Sequence, residues 1–253
     1  MLKIERQNYI LTEIKKNGAV LVTDISLHLD VSTETIRRDL KEMEAQGKLI
    51  RMFGGAYIQD DHDKGVPNVL KENFFRKEKT SMAKLAFKYI KQDDVIFLDS
   101  STTCLFIAKE ILCKEMSITI ITNSNRICNL VENSHNNKVI LLGGCYKKKS
   151  DEFTGPATID NIERYMADLY FISCATFDSK FGYYDNTESG ASIRKSMIKH
   201  SKKTIAVLDH TKFNSKADYR ICDCNGIGVI ITDVKPSDEL RSTLNKNKIN
   251  IEY

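Results

Sequence analysis

Four polar clusters in this chain have the composition of a small-molecule cradle. Asp99-Ser100-Ser101-Thr102-Thr103, Thr122-Asn123, Gly143-Gly144 and Asp209-x-x-Lys212 each follow a short apolar run. Hydroxyls and main-chain N–H groups at a helix start suit a phosphate, and Lys212 supplies a point charge for it. Asp99 and Asn123 can accept from and donate to sugar hydroxyls, while Gly143 and Gly144 let backbone approach a ligand closely. Taken singly, Ser and Thr after a strand more often just cap the next helix. Several such loops at one sheet edge point to a site for a small polyhydroxylated anion.

A second cluster lies near the N-terminus. Ser32 caps a helix whose Ile36, Leu40 and Met43 recur at i, i+4 and i+7 and face inward. Thr33, Glu34, Arg37, Arg38 and Lys41 fall outside that stripe. A helix of this kind fits the DNA major groove with its N-terminal residues at base edges. Arg37 can bond a guanine twice or give one charge to a phosphate, and Ser32 and Thr33 can donate to phosphate. Arg51 and the Gly54-Gly55 turn have the shape of a wing along the backbone. The alternative is a solvated helix with Glu34 and Arg38 as an i,i+4 ion pair. Residues 1–58 hold 9 Lys/Arg against 8 Asp/Glu, so any DNA affinity must come from local placement.

These clusters need particular elements to hold them. Residues 1–58 read as three short helices and a hairpin: a helix over Lys3–Asn17 stopped by Gly18, a short one capped by Thr23, the Ser32-capped one, and a hairpin around Gly54-Gly55. Residues 59–73, with Asp60, Asp61, Asp63, Gly65 and Pro67, read as a linker. From 74 to 253 the pattern alternates. Strands are expected at Val95–Leu98, Ile118–Ile121, Val139–Leu142, Leu169–Cys174, Thr204–Leu208 and Val229–Ile231, with helices at 74–90, 104–112 and 189–200. That is the pattern of an α/β domain, a mainly parallel sheet with helices on both faces. Ligands in such sheets bind beyond the carboxyl ends of the strands.

Composition narrows the function classes. The 253 residues are 42% hydrophobic with a net charge of +4, which affords a core and argues neither for nor against nucleic acid. No apolar run is long enough to span a bilayer, and the charged start Met1-Leu2-Lys3-Ile4-Glu5-Arg6 is unlike a signal peptide; the expectation is a cytoplasmic chain without a membrane partner. The 7 cysteines are scattered. Cys222-x-Cys224 lacks a second ligand pair at zinc spacing, so neither a metal site nor a cofactor is expected. A redox or metal sensor using that pair is the minor alternative. An enzyme is the other, since Asp178, Asp185, Glu188 and His210 fall near strand ends; they form no evident acid/base set, and Glu188, opening a helix, complements its dipole or lines the pocket.

The N-terminal motif resembles a known family. Arg6, Ile10 and Ile14, then Ser32-x-x-Thr35-Ile36-Arg37-Arg38-Asp39-Leu40, are similar to the helix-turn-helix signature of the DeoR-type regulators, and Leu49-x-x-x-x-Gly54-Gly55-Ala56 to that family's wing. From Phe74 to Asp233 the chain resembles the family's sensor domain, which is similar in fold to ribose-phosphate isomerases and glucosamine-phosphate deaminases. Asp99–Thr103, Thr122-Asn123-Ser124, Leu142-Gly143-Gly144, Asp168-x-x-Phe171, Asp209-x-x-Lys212-Phe213 and Ile231-Thr232-Asp233 carry that likeness. The resemblance implies a non-enzymatic repressor of a carbohydrate catabolic operon, a dimer or tetramer on double-stranded operator DNA, controlled by a phosphorylated sugar. It implies DNA contacts at Ser32, Thr33, Thr35, Arg37, Arg38, Arg51, Gly54 and Gly55, and effector contacts at Asp99, Ser100, Ser101, Thr102, Thr103, Thr122, Asn123, Gly143, Gly144, Glu188 and Lys212. Asp39 resembles a structural residue. Ser101 and Thr176 stand where the family usually or often has glycine, and a side chain at either point is expected to narrow the pocket.

Overall fold

The computed structural model describes residues 2–52, 54–58, 67–114, 116–130, 134–213, 215 and 217–253. It divides into two units, Met1–Phe74 with Lys148–Ser150, and Phe75–Lys147 with Asp151–Tyr253.

The first unit contains α1 (Lys3–Asn17), β1 (Ala19–Leu21), α2 (Val22–Leu29), α3 (Thr33–Ala45), β2 (Ile50–Met52), β3 (Gly55–Tyr57) and α4 (Asn68–Asn73). Gly18 ends α1 in the left-handed conformation with φ 81°, which glycine adopts without a Cβ penalty. Ile10, Ile14, Ile25, Ile36, Leu40 and Met43 close the core. The small sheet runs β1-β3-β2, so the hairpin gains a third strand that sequence periodicity did not show. That strand also moves the start of α2. The helix begins at Val22, whose N–H donates to the Gly54 carbonyl at 2.8 Å, and Thr23 lies inside it rather than capping it. Of the expected linker, 59–66 lie outside the described residues, and Asn68–Asn73 form α4 with Leu70 fully buried.

The second unit contains α5 (Arg76–Phe87), β4 (Val95–Leu98), α6 (Thr102–Leu112), β5 (Thr119–Thr122), α7 (Asn125–Asn129), β6 (Lys138–Leu141), β7 (Cys145–Lys147), β8 (Glu152–Thr154), α8 (Pro156–Ile162), β9 (Ala167–Ile172), β10 (Thr176–Asp178), β11 (Gly182–Asp185), α9 (Glu188–Lys199), β12 (Ser201–Val207), β13 (Tyr219–Cys222), β14 (Val229–Ile231), α10 (Asp238–Lys246) and β15 (Asn250–Glu252). Its main sheet has seven strands in the order β15-β14-β12-β9-β4-β5-β6, and every neighbouring pair is parallel. Side chains alternate across it. Phe97, Ile121, Tyr170, Ile172 and Ala206 pack with Ile162, Ile193, Met197 and Leu244. Ile96, Leu98, Ile120, Phe171 and Ile205 pack with Met82, Ala86, Ile107, Ile111 and Ile127. Both faces are therefore covered by helices. Two smaller sheets, β10-β11-β13 and β7-β8, complete the unit.

The strand order fixes where a ligand belongs. From β4 the chain moves outward through β5 and β6, then returns to β9 on the other side of β4 and moves outward again. The order reverses between β4 and β9, and the crevice beyond the carboxyl ends of those strands is the usual binding place in such sheets.

Candidate functional site

Asp99 follows β4 at this reversal and is buried. Its Oδ1 accepts from the Ser101 N–H at 2.8 Å. Its Oδ2 accepts from the Tyr170 hydroxyl at 3.1 Å, the Ser173 N–H at 3.2 Å and Arg194 Nε at 3.2 Å. Arg194, on α9, also donates to the Ser173 carbonyl and reaches Asp185 with Nη1 at 2.7 Å. Burial opposes the guanidinium charge, but Asp99 and Asp185 outweigh it and hold its pKa above the ordinary arginine value. A buried cation between two buried carboxylates survives only with its partners in place. Asp99 is thus committed to bracing the β4 loop against β9 and α9, and its internal bonds replace the sugar contacts expected of it.

That brace shapes the loop above it. Ser101 turns its hydroxyl to accept from the Cys104 N–H at 3.1 Å, the N-cap of α6. Its side chain is therefore taken up by the cap. Thr102 and Thr103 are buried at the first turn of α6, and among the described residues nothing accepts from their main-chain N–H groups. Such groups at a helix start are anion donors. The Ser100 hydroxyl donates to Glu152 on β8.

The neighbouring loops come in from β5, β6 and the β7–β8 hairpin. The Thr122 hydroxyl accepts from the Ser124 N–H at 3.0 Å. Asn123 is buried; its amide donates to the Phe153 carbonyl at 3.0 Å, and its Oδ1 is buried with no hydrogen-bond partner. Gly143 has open space where a Cβ would stand, whereas at Gly144, with φ +143°, a Cβ would sit 2.1 Å from the Thr158 hydroxyl. Gly144 therefore admits α8, not a ligand. Lys147 on β7 donates to the Ser189 hydroxyl in the first turn of α9 at 2.8 Å. Glu188 is exposed at the same helix start.

Lys212 lies on a 3-10 turn, His210–Lys212, capped by Asp209, whose carboxylate accepts from the Thr211 N–H. Lys212 and Arg194 both bear on the buried Cys174 thiol, although burial dominates and pushes that pKa up to about 12. The lysine belongs to the turn after β12, at the same carboxyl edge of the parallel sheet as the Asp99 loop after β4. The Thr176 hydroxyl lies 3.0 Å from both the Lys212 and Ser215 carbonyl oxygens and shares its one proton between them, so it anchors the Lys212 turn. His210 donates from its main chain to Asp233 and pairs its ring with that carboxylate at 2.6 Å. Asp178 holds a turn through the Lys180 and Phe181 N–H groups. Asp178, Asp185 and His210 are each engaged in structural bonds.

In the first unit, Asp39 in the middle of α3 is buried and takes two bonds from Arg6 of α1. That bond raises the Arg6 pKa despite partial burial. The pair fixes α3 on α1 and leaves Arg37, Arg38 and Lys41 exposed on the outer side. Ser32 caps α3, accepting from the Thr35 N–H at 3.2 Å. Glu34 is within 3.7 Å of Arg37, not of Arg38. Two wing residues have inward tasks. Arg51 donates to Glu44 of α3 at 2.8 Å. Gly55 is buried, and a Cβ there would lie 2.1 Å from the Val20 carbonyl. Gly55 thus lets β3 close on β1, and the exposed glycine of the turn is Gly54, with φ +79°.

A capped, outward-facing helix on a winged frame, joined in one chain to a parallel sheet with a cradle at its reversal point, defines a DNA-binding regulator with a sensor domain. The chain belongs to the DeoR family: residues 6–62 match the DeoR-like helix-turn-helix domain and residues 75–234 the DeoR C terminal sensor domain. It is 34% identical to the uncharacterized HTH-type transcriptional regulator YulB of Bacillus subtilis (92% of this chain, 90% of that one). It is 30% identical to the L-fucose operon activator of Escherichia coli K12 (92% and 96%), and 29% identical to the HTH-type transcriptional repressor GlcR of B. subtilis (99% and 96%). Family and relatives make it a regulator and not an enzyme. Among solved structures, ribose 5-phosphate isomerase A of Methanocaldococcus jannaschii overlays with a TM-score of 0.41 and 15% identity, over 55% of this chain and 54% of that one. No helix among the described residues is long and apolar enough to cross a membrane.

Proposed function

We propose that this chain represses a carbohydrate catabolic operon and is released from its operator by a phosphorylated sugar. The observation that carries the reading is the cradle at the reversal point: the N–H groups of Thr102 and Thr103, which have no acceptor among the described residues, with the Lys212 turn after β12 at the same sheet edge. The phosphate sits on those N–H groups and Lys212. Asn123 Oδ1, buried and unpaired, accepts from a sugar hydroxyl, and Gly143 leaves room for the ligand backbone. Thr122 and Ser100 shape the wall, and Glu188 closes the rim. Relatives named for operons of L-fucose and for repression support the class of target.

On DNA, Arg37 and Arg38 read or clamp the major groove, Ser32, Thr33 and Thr35 meet phosphate at the start of α3, and Gly54 carries the wing. A cytoplasmic dimer or tetramer presents paired α3 helices to repeated half-sites. For the effector to act, it must bind the released form more tightly, with typical coupling of about 1–3 kcal/mol.

A thermal-shift screen against phosphorylated sugars tests this. A ligand at a hundredfold excess over its dissociation constant stabilises the fold by about 2.7 kcal/mol. The expected result is a hit that Lys212→Ala abolishes and that releases operator DNA. No hit across the panel, with operator binding intact, overturns the effector reading. Deleting the gene separates the sign: target transcripts rise for a repressor and fall for an activator.

A further inference from the structure

Helix α9 has a second face. Gly190, Ala191, Ile193, Arg194, Ser196 and Met197 are buried, while Ser192, Lys195 and Lys199, with the edge of Ser196, line a groove of about 900 Å³ shared with α8 and β13. This volume is in the range of small-ligand pockets, and the groove includes none of the cradle residues described above.

Its charges are unbalanced. Arg220 on the far wall is paired with Asp223. Lys195 and Lys199 stand one turn apart on α9, where like charges repel, and neither has an ion-pair partner among the described residues. The remaining carboxylate of the lining, Glu163, pairs with neither of them. Ser196 belongs to the buried side of α9, next to the lysine row, and also lines the groove. It is 8% exposed, and its Oγ is buried with no hydrogen-bond partner. A buried hydroxyl in that state calls for an acceptor or donor that the protein does not supply. Two free ammonium groups beside an unsatisfied hydroxyl suit a phosphate group, and Ser192 with Asn225 add further polar contacts for a hydroxylated body.

We propose that the groove between α8, α9 and β13 is a second ligand site, for a small phosphate-bearing anion. The phosphate lies across Lys195 and Lys199, and the Ser196 hydroxyl, now turned inward, rotates to donate to it. Occupancy bears on the strand-end cradle through shared elements. Arg194 of the same helix holds Asp99 and Asp185, and β13 pairs with β11, which carries Asp185. An anion joining α9 to β13 tightens the frame beneath the effector loop and so modulates effector binding.

Equilibrium dialysis of the full chain against radiolabelled glycerol 3-phosphate, and separately inorganic phosphate, counts the bound equivalents. Wild type is compared with Lys195→Gln/Lys199→Gln and with Lys212→Ala; all three should show the same urea melt, because the changed lysines of the groove are exposed. The expected result is an equivalent that the double variant loses or binds about tenfold or more weakly and that Lys212→Ala retains. If only glycerol 3-phosphate fills it, the ligand is an organic ester; if both probes fill it, the phosphate group suffices. Binding of both probes that is unchanged in the double variant, or lost with Lys212→Ala alone, overturns the proposal, as does absence of lysine-dependent binding. A groove equivalent retained by a chain that gives no hit with any phosphorylated sugar of the thermal-shift panel would instead sink the strand-end reading and keep this one.

Discussion

In the first unit Asp39 receives both its charged bonds from one arginine, Arg6. In the second, Asp99 is shared among Ser101, Tyr170, Ser173 and Arg194, and Arg194 is itself shared with Asp185. The first pair fastens one helix to another so that exposed side chains on the far side are presented as a rigid row. The second network fixes a loop, so that main-chain groups are presented. On the function proposed above, DNA would be read by long cations that reach out and a small anion by amides that cannot move. Recognition by side chain tolerates a simple two-point brace, whereas recognition by backbone needs a brace touching several elements at once.

Substitutions break this contrast in order of size. Arg194→Met strands two buried carboxylates and is expected to cost about 3–5 kcal/mol, read as a lower urea midpoint; a loss under 1 kcal/mol would show that the frame is dispensable. Arg6→Met leaves Asp39 buried without its partner, at about 2–3 kcal/mol, and operator binding should weaken in step with the head's stability. Arg37→Ala removes only an outward reader. It should weaken operator binding by about 1–3 kcal/mol without moving the thermal midpoint or effector affinity, and the contrast fails if stability falls as well. Glu44→Ala, which frees the half-exposed Arg51, should leave the urea midpoint almost unmoved, as for an exposed ion pair.

The smallest effect is on pH. The Asp233 bond raises the His210 pKa above its usual 6.5, with burial opposing. A folded pKa above the unfolded one gives a contribution complete below the unfolded value and lost as pH rises through the higher folded value. The second unit should therefore lose a little stability between mildly acid and mildly alkaline pH, and His210→Gln should flatten that slope in calorimetric scans.

Much of this was legible in sequence. The apolar runs of β4, β5, β6, β9, β12 and β14 are dense in Ile, Val, Leu and Phe, so their carboxyl ends, and with them Asp99, Thr122 and Gly143, could be placed to within a residue or three. The β7–β8 hairpin and the β10-β11-β13 sheet were not found, because three- or four-residue strands such as Glu152–Thr154 carry no period to detect. Glu152 and Lys147 were missed with them. Arg194 was missed for another reason: it reads as one of several surface bases on α9. Its spacing held the signal. It stands four residues after Gly190 and three after Ala191, on the inward face, and a cation there needs a buried carboxylate. Gly55 misled because a glycine pair suggests an open turn, whereas the third strand that buries it, Ala19–Leu21, is too short to announce itself.

The bond between Asp99 and the Ser173 N–H joins residues 74 apart in the chain, and this bears on biosynthesis. When the ribosome has released β4, β5 and β6, the strand destined for the middle of the sheet still has one bare edge, and Asp99 has neither Ser173 nor Arg194. An exposed parallel edge beside an unpaired carboxylate is a sticky, slow intermediate. Until β9 and α9 emerge, β4 keeps an unpaired edge and Asp99 lacks two of its partners, so aggregation during synthesis is expected to be most acute in that interval.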